Sequence, residues 1–150
     1  MSSTNATRAA VSTTVPGRRA TDGLHDLIGR YSHALAAGDV ATIVAAWDVP
    51  SLVIGEKGVI SFDTRDELER FFTASTAEYD PRGRMGPRVR VSGLERIAER
   101  LATVRLSFPY LDRYDREMGE ESSTLTLRRD ELGWKIRVAL MHGATSHPHA

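Results

Sequence analysis

The segment Leu27-Ile28-Gly29-Arg30-Tyr31-Ser32-His33-Ala34-Leu35-Ala36-Ala37-Gly38-Asp39, continuing through Val40 to Trp47 and on to Phe71-Phe72, decides the fold. Leu24, Leu27, Ile28, Tyr31 and Leu35 recur at intervals of three and four, which places them on one face of an amphipathic helix. Gly38 follows where a left-handed C-cap is needed, and Asp39 can cap a second, shorter helix with Val40, Ile43, Val44 and Trp47 on its apolar face. Pro50 is expected to stop that helix, and Leu52-Val53-Ile54 reads as a strand.

Outward from this segment the pattern continues. Thr21 or Asp22 can cap the first helix, which ends near Ala37. Residues 52–62 read as a hairpin turning at Glu56-Lys57-Gly58. Thr64-Arg65-Asp66-Glu67 has the form of a capping box, in which each end satisfies the other's backbone donor. Leu68, Phe71, Phe72 and Tyr79 give the third helix its buried stripe, and Pro81-Arg82-Gly83 breaks it.

From there to the C-terminus the period is two, so a long antiparallel meander is expected. Val89 and Val91 open its first strand, and Val104, Leu106, Phe108 and Tyr110 share a face of the second. Leu125 and Leu127 share a face of the third, and Trp134, Ile136, Val138, Leu140 and His142 share one of the last. Asp130-Glu131-Leu132-Gly133 is a tight turn between the final pair. The opposite face carries Arg105, Ser107, Thr124, Thr126 and Arg137. A sheet with one apolar face must bury it, and the three helices supply the cover. The class is α+β, with a tail at 1–20, one domain at 21–146 and a short tail at 147–150.

Composition narrows the function. The 20 basic and 20 acidic residues cancel, so general affinity for nucleic acid or anionic membrane is not implied. Arg82, Arg84, Arg88 and Arg90 cluster locally, as a solvated strand edge or an anion-binding rim. With 0 cysteines there is no disulfide, thiolate nucleophile or cysteine-ligated metal, which fits a reducing, cytoplasmic setting. Only Lys57 and Lys135 interrupt the arginines, as GC-rich bacterial coding would produce. The first twenty residues lack acids and an apolar h-region; a disordered tail is expected there rather than a secretory signal. No apolar run approaches membrane-spanning length.

Helix, Gly38-Asp39, short helix ending in an aromatic, hairpin, helix and curved sheet together resemble the nuclear-transport-factor-2-like superfamily. That group includes ketosteroid isomerases, SnoaL-like polyketide cyclases and scytalone dehydratase. The most specific resemblance, Leu27-Ile28-x-Arg30-Tyr31 through Gly38-Asp39 to Ile43-Val44 and Trp47, is to the opening of a bacterial ketosteroid isomerase. It implies a cone of three N-terminal helices on a strongly curved, mostly antiparallel sheet of about six strands. It also implies a homodimer through the outer sheet face. Function does not follow from fold, because the scaffold hosts unrelated activities.

By that resemblance Tyr31 falls on the isomerase's oxyanion-hole tyrosine, whereas Gly55, with Glu56 beside it, falls on its catalytic base. Leu125 falls on its second oxyanion donor, a protonated aspartic acid; the role of such tuned carboxylates is a standard worked case. Steroid isomerisation is therefore not expected. Pocket-lining positions of the isomerase fall on Trp47, Phe72 and His142.

Each candidate has a plain structural alternative. Tyr31 either fills core or points its hydroxyl into the cavity to donate to a carbonyl or developing enolate. His142, expected to face inward, is a packed core residue or a general acid/base. Glu56 is a solvated turn residue or a base at the cavity mouth. A scytalone-dehydratase-like mechanism wants a carboxylate that orients an imidazole, and Asp112 is the best match for His142. Trp47, Ile54, Glu56, Phe72, Phe108, Tyr110, Leu125 and Val138 are expected to surround the substrate. No metal site, phosphate-cradling glycine loop, nucleophile elbow or dinucleotide fingerprint is present in the sequence, so no cofactor is expected. The expected ligand is a small, largely apolar molecule, bound with acid–base catalysis on a carbonyl compound (isomerase, dehydratase or cyclase type). The alternative is a non-catalytic dimerisation or accessory module.

Overall fold

Asp22 starts the fold by accepting a hydrogen bond from Leu24 N (3.1 Å), and helix α1 runs from Leu24–Ala37. Its buried face is Leu24, Leu27, Ile28, Tyr31 and Ala34, the expected stripe. Gly38 ends it with φ +70°, a left-handed conformation that costs glycine nothing. Asp39 then accepts from Thr42 N (3.3 Å) and Thr42 Oγ1 (2.6 Å) and opens α2 (Val40–Ala45). The computed structural model describes residues 22–82, 84–85, 89–114 and 116–146, with side chains described at all of these except 77–82, 84–85 and 145–146. The tails and Arg88 lie outside these, as do the side chains of Tyr79, Arg82 and Arg84; Arg90 of the arginine cluster is described and pairs with Glu117.

The second helix stops earlier than expected. Trp47 and Pro50 belong to strand β1 (Trp47–Gly55), not to a helix that Pro50 terminates. Proline removes a ladder donor, and the pairing of β1 is interrupted between Trp47 and Leu52, where Pro50 sits. Strand β2 (Gly58–Phe62) pairs back across Gly55 and Gly58, the expected hairpin. Helix α3 (Arg65–Arg82) begins with the capping box: Glu67 N donates to Thr64 Oγ1 (3.2 Å) and Thr64 N to Glu67 Oε1 (3.1 Å).

The short β3 (Arg84–Met85) and then β4 (Arg90–Ala98) both pair with β5 (Leu101–Leu111). β6 (Glu117–Asp130) and β7 (Gly133–Ser146) complete the meander. Sheet order is β2-β1-β7-β6-β5 with β3 and β4 sharing the far edge, six positions in all; every pair is antiparallel except β1–β7. Three helices cover one face of this curved sheet. Leu68 of α3 and Ile43 of α2 are fully buried with Trp47, Leu106, Leu127 and Ile136. The start of α1 is pinned by charge: Asp22 pairs with Arg96 (2.5 Å) and Arg129 (3.7 Å), whose guanidiniums also lie 5.1 and 5.8 Å from the Trp134 ring.

The last strand carries the main departure. Leu127 pairs with Ile136 but Thr126 with Val138, so Arg137 is an extra residue, a β-bulge. Its guanidinium reaches Asp48 Oδ2 (3.2 Å) and Pro50 O (3.0 Å), opposite the interruption in β1. A second bulge follows: Ser123 pairs with Met141 and Ser122 with Gly143, which leaves His142 extra, beside Gly143 at φ +91°. One inserted residue reverses every later side chain. Trp134 and Ile136 face the core as expected, but beyond the bulge Ala139 is buried and Leu140 is 40% exposed.

Candidate functional site

A cavity of about 100 Å³ lies between the helices and the concave face of the sheet. Helix α1 contributes Tyr31 and Leu35, and β1 contributes Trp47 and Val53. Phe71, Phe72, Ser75 and Thr76 come from α3, where the helical period turns adjacent pairs to one side. The sheet closes it with Phe108 of β5, with Glu121, Ser123 and Leu125 of β6, and with Ala139 and Met141 of β7. Aromatic rings dominate the walls. Trp47 and Phe72 stand 5.6 Å apart and tilted, and Phe71 meets Phe72 edge to face at 5.1 Å.

Polar groups are few. Ser75 Oγ and Thr76 Oγ1 donate to their own helix, at Phe71 O (2.9 Å) and Phe72 O (3.0 Å). Buried Trp47 Nε1 donates to Tyr31 Oη at 3.0 Å. The phenol thus accepts the indole proton and keeps its own, and burial pushes its pKa well above the ordinary tyrosine value. No acceptor for that proton stands among the described residues, so Tyr31 is a fixed, neutral O–H donor at the cavity wall.

Of the expected binding residues, Trp47, Phe72, Phe108 and Leu125 line this cavity, as does Tyr31. Ile54 and Val138 do not: they pair with Leu140 and Leu52 in the β1–β7 ladder and lie on the outer face, Ile54 by alternation with buried Val53 and Val138 because of the Arg137 bulge. Glu56 is exposed at its hairpin turn, and Tyr110 is half-buried outside the lining.

His142 does not face inward. It is exposed, and its Nε2 lies 2.7 Å from Thr124 Oγ1 on the outer side of the sheet. Asp112 accepts from Tyr114 N (2.8 Å), Arg116 N (2.9 Å) and Arg116 Nε (2.9 Å), which organise its own hairpin loop and hold its pKa below the ordinary value. The structure brings Tyr31 to the cavity but does not assemble it with His142 and Asp112.

A second cavity, about 260 Å³, lies beside the first turn of α1, between Arg30, Thr42, Leu132 and Trp134. Two of its charged groups are already engaged: Asp22 in its arginine pairs and Lys135 Nζ on Ala45 O (2.9 Å). Its aromatic lining is Tyr31 and Trp134, fewer rings than the cone cavity has. Among the described residues no cluster of histidines or carboxylates could hold a metal ion, and no helix is long and apolar enough to cross a membrane.

A family model described as NTF2-like protein (DUF6841) matches residues 7–144. The chain belongs to this NTF2-like family. Its fold is shared by solved structures of low identity. An NTF2-like protein of unknown function from Pseudomonas putida KT2440 superposes with a TM-score of 0.64 at 16% identity, covering 83% of this chain and 87% of that one. A ketosteroid isomerase-like protein from Erwinia carotovora atroseptica gives 0.60 at 15%, covering 80% and 92%. A protein of unknown function from Mycobacterium tuberculosis gives 0.61 at 14%, covering 91% and 78%. No curated protein matches.

In this NTF2-like cone, sequence reasoning missed Leu35, Val53, Phe71, Ser75 and Thr76, and on the last two strands Glu121, Ser123, Ala139 and Met141. Glu121 and Ser123 share the parity of Leu125 and Leu127, so the alternation already in hand could have found them. Ala139 and Met141 needed the bulge. The signals for it were Pro50 in the neighbouring strand and Arg137 interrupting an apolar series.

Proposed function

We propose that this NTF2-like chain binds a small, largely apolar molecule in the cone cavity. The observation that carries this is the cavity's composition: five aromatic side chains, with the Tyr31 hydroxyl and the Glu121 carboxylate as polar handles. An engineered apolar cavity of about 150 Å³ holds benzene, so one of about 100 Å³ suits a molecule of that size or smaller. Acid–base catalysis on a carbonyl compound keeps Tyr31 as oxyanion donor but finds no imidazole among the described lining residues, so binding is the reading preferred. The test is an NMR titration with tert-butanol, following the Trp47 indole N–H signal. A saturable shift that a cavity-filling Ala139→Leu variant abolishes is expected; an indole signal that stays still overturns the proposal.

A second reading, assembly into a homodimer through the outer sheet face, is favoured by that face's apolar side chains. Leu52, Ile54 and Val138 are half-buried there, Leu140 is 40% exposed and Val59 61%. Light scattering on the eluting protein is expected to give the dimer mass, and Leu140→Glu to give the monomer. A wild-type monomer at high concentration overturns it.

A further inference from the structure

The wider cavity, beside the first turn of α1, has no role in the cone site. Its lining holds Arg30 and Lys135 against a single carboxylate, Asp22. Asp22 already faces two guanidiniums, Arg96 at 2.5 Å and Arg129 at 3.7 Å, so its charge is met within the protein. Lys135 Nζ donates to the neutral Ala45 carbonyl, at the end of α2. Arg30 is the group left over. A guanidinium stays protonated in proteins, and Arg30 is exposed, with no hydrogen bond or ion pair to any described residue. The remaining wall is largely apolar. Leu27 and Trp134 are buried in it, whereas Leu132, in the turn between β6 and β7, lines it while 86% exposed. Trp134 Nε1 is in addition a buried donor with no acceptor among the described residues.

We infer that this cavity is a second ligand site, for an organic carboxylate whose apolar body lies against Trp134 and the two leucines and whose carboxylate meets Arg30. The inference does not rest on binding in the cone: the two linings have only Tyr31 in common. The guanidinium fork matches the two oxygens of a carboxylate, and such charge-assisted pairs are stronger than neutral hydrogen bonds. An ammonium ligand would instead bring a like charge to Arg30. A neutral ligand of the same shape would gain the apolar contacts without the ion pair. Room is sufficient. An apolar cavity of about 150 Å³ holds benzene, so one of about 260 Å³ takes a ring with a carboxylate beside it.

The chain has 2 tryptophans, and each cavity holds one, so the Trp134 indole N–H reports on this site and that of Trp47 on the cone. Benzoate, benzyl alcohol and benzylammonium, close in shape, are titrated into the full chain at matched ionic strength while both signals are followed, with Trp134→Phe giving their assignment. Benzoate is expected to shift the Trp134 signal saturably. It should bind about three- to tenfold tighter than the alcohol, between the scale of an exposed ion pair and that of a hydrogen bond to a charged group. Benzylammonium is expected to bind more weakly than either. Arg30→Gln changes an exposed residue with no protein partner to lose, so it should keep the melting temperature and bring benzoate to the level of the alcohol. Benzoate and alcohol binding alike in the wild type overturns the preference for an anion. A preference that survives Arg30→Gln overturns the role of Arg30. A Trp134 signal that benzoate leaves still overturns the site, whatever tert-butanol does at Trp47, and a benzoate shift confined to Trp47 overturns it by assigning the carboxylate to the cone.

Discussion

The first helix and the last strand of this NTF2-like chain are both amphipathic, and they differ in how faithfully spacing reports facing. In α1 the hydrogen-bonded spiral fixes the angle between neighbours, so Leu24, Leu27, Ile28 and Tyr31 are all buried where a three–four spacing puts them. In β7 the facing of each residue depends on its register with two neighbours. The Arg137 bulge lets Trp134 and Ile136 point in while Leu140 and His142, at the same parity, point out. A helix carries its own ruler, whereas a strand borrows one.

The largest effect expected from this contrast is in truncations on either side of the bulge. Ile136→Ala should cost about 2–5 kcal/mol in a urea melt, as buried truncations do, and Leu140→Ala about 1 kcal/mol or less. Equal losses would restore uniform parity and remove the bulge's consequence. Tyr31→Phe leaves the buried Trp47 N–H without its acceptor and should cost about 1–3 kcal/mol, far more than loss of an exposed hydroxyl.

The capping box sharpens the helical side of the comparison through pH. Backbone donors from Asp63 and Thr64 hold the Glu67 pKa below its ordinary value of 4.5. A carboxylate lowered on folding adds stability that is complete above the unfolded value and fades as pH falls through the folded one. Glu67→Gln should therefore show its deficit at neutral pH and lose it in acid, compared by melts across that range; a deficit independent of pH would separate the cap from the carboxylate's charge. The smallest effect is expected at His142→Ala. Its exposed contact with Thr124 predicts a stability change within about 0.5 kcal/mol and unchanged tert-butanol binding. Loss of binding would return the imidazole to the site.

What was legible in the sequence follows the same division. Caps at Gly38, Asp39 and Thr64, the hairpin at Glu56-Lys57 and the inner faces of β5 and β6 all depend on contacts a few residues away or on uninterrupted alternation. These gave the cone and four of its wall residues, Trp47, Phe72, Phe108 and Leu125. The expected Tyr31–His142 pair depended on alternation continuing through eight residues beyond Trp134, and the structure breaks it at Arg137. That break rests on a guanidinium reaching Asp48 and the Pro50 carbonyl, groups nearly ninety residues upstream. Glu121 was missed for a different reason. The family resemblance directed attention to positions where an isomerase carries its acids, and this chain places a carboxylate elsewhere on the same wall.

The reversal of β7 is tested most directly by placing a carboxylate at each of two adjacent residues and comparing their urea melts. Ala139 is buried against the cavity and Leu140 is 40% exposed on the outer face. Ala139→Glu should destabilise the fold by several kcal/mol, since it forces a charge into a packed, apolar interior, while Leu140→Glu should remain folded with near-wild-type stability as a monomer. A folded Ala139→Glu beside an unfolded Leu140→Glu would contradict the bulge, return His142 to the cavity and restore the catalytic pair.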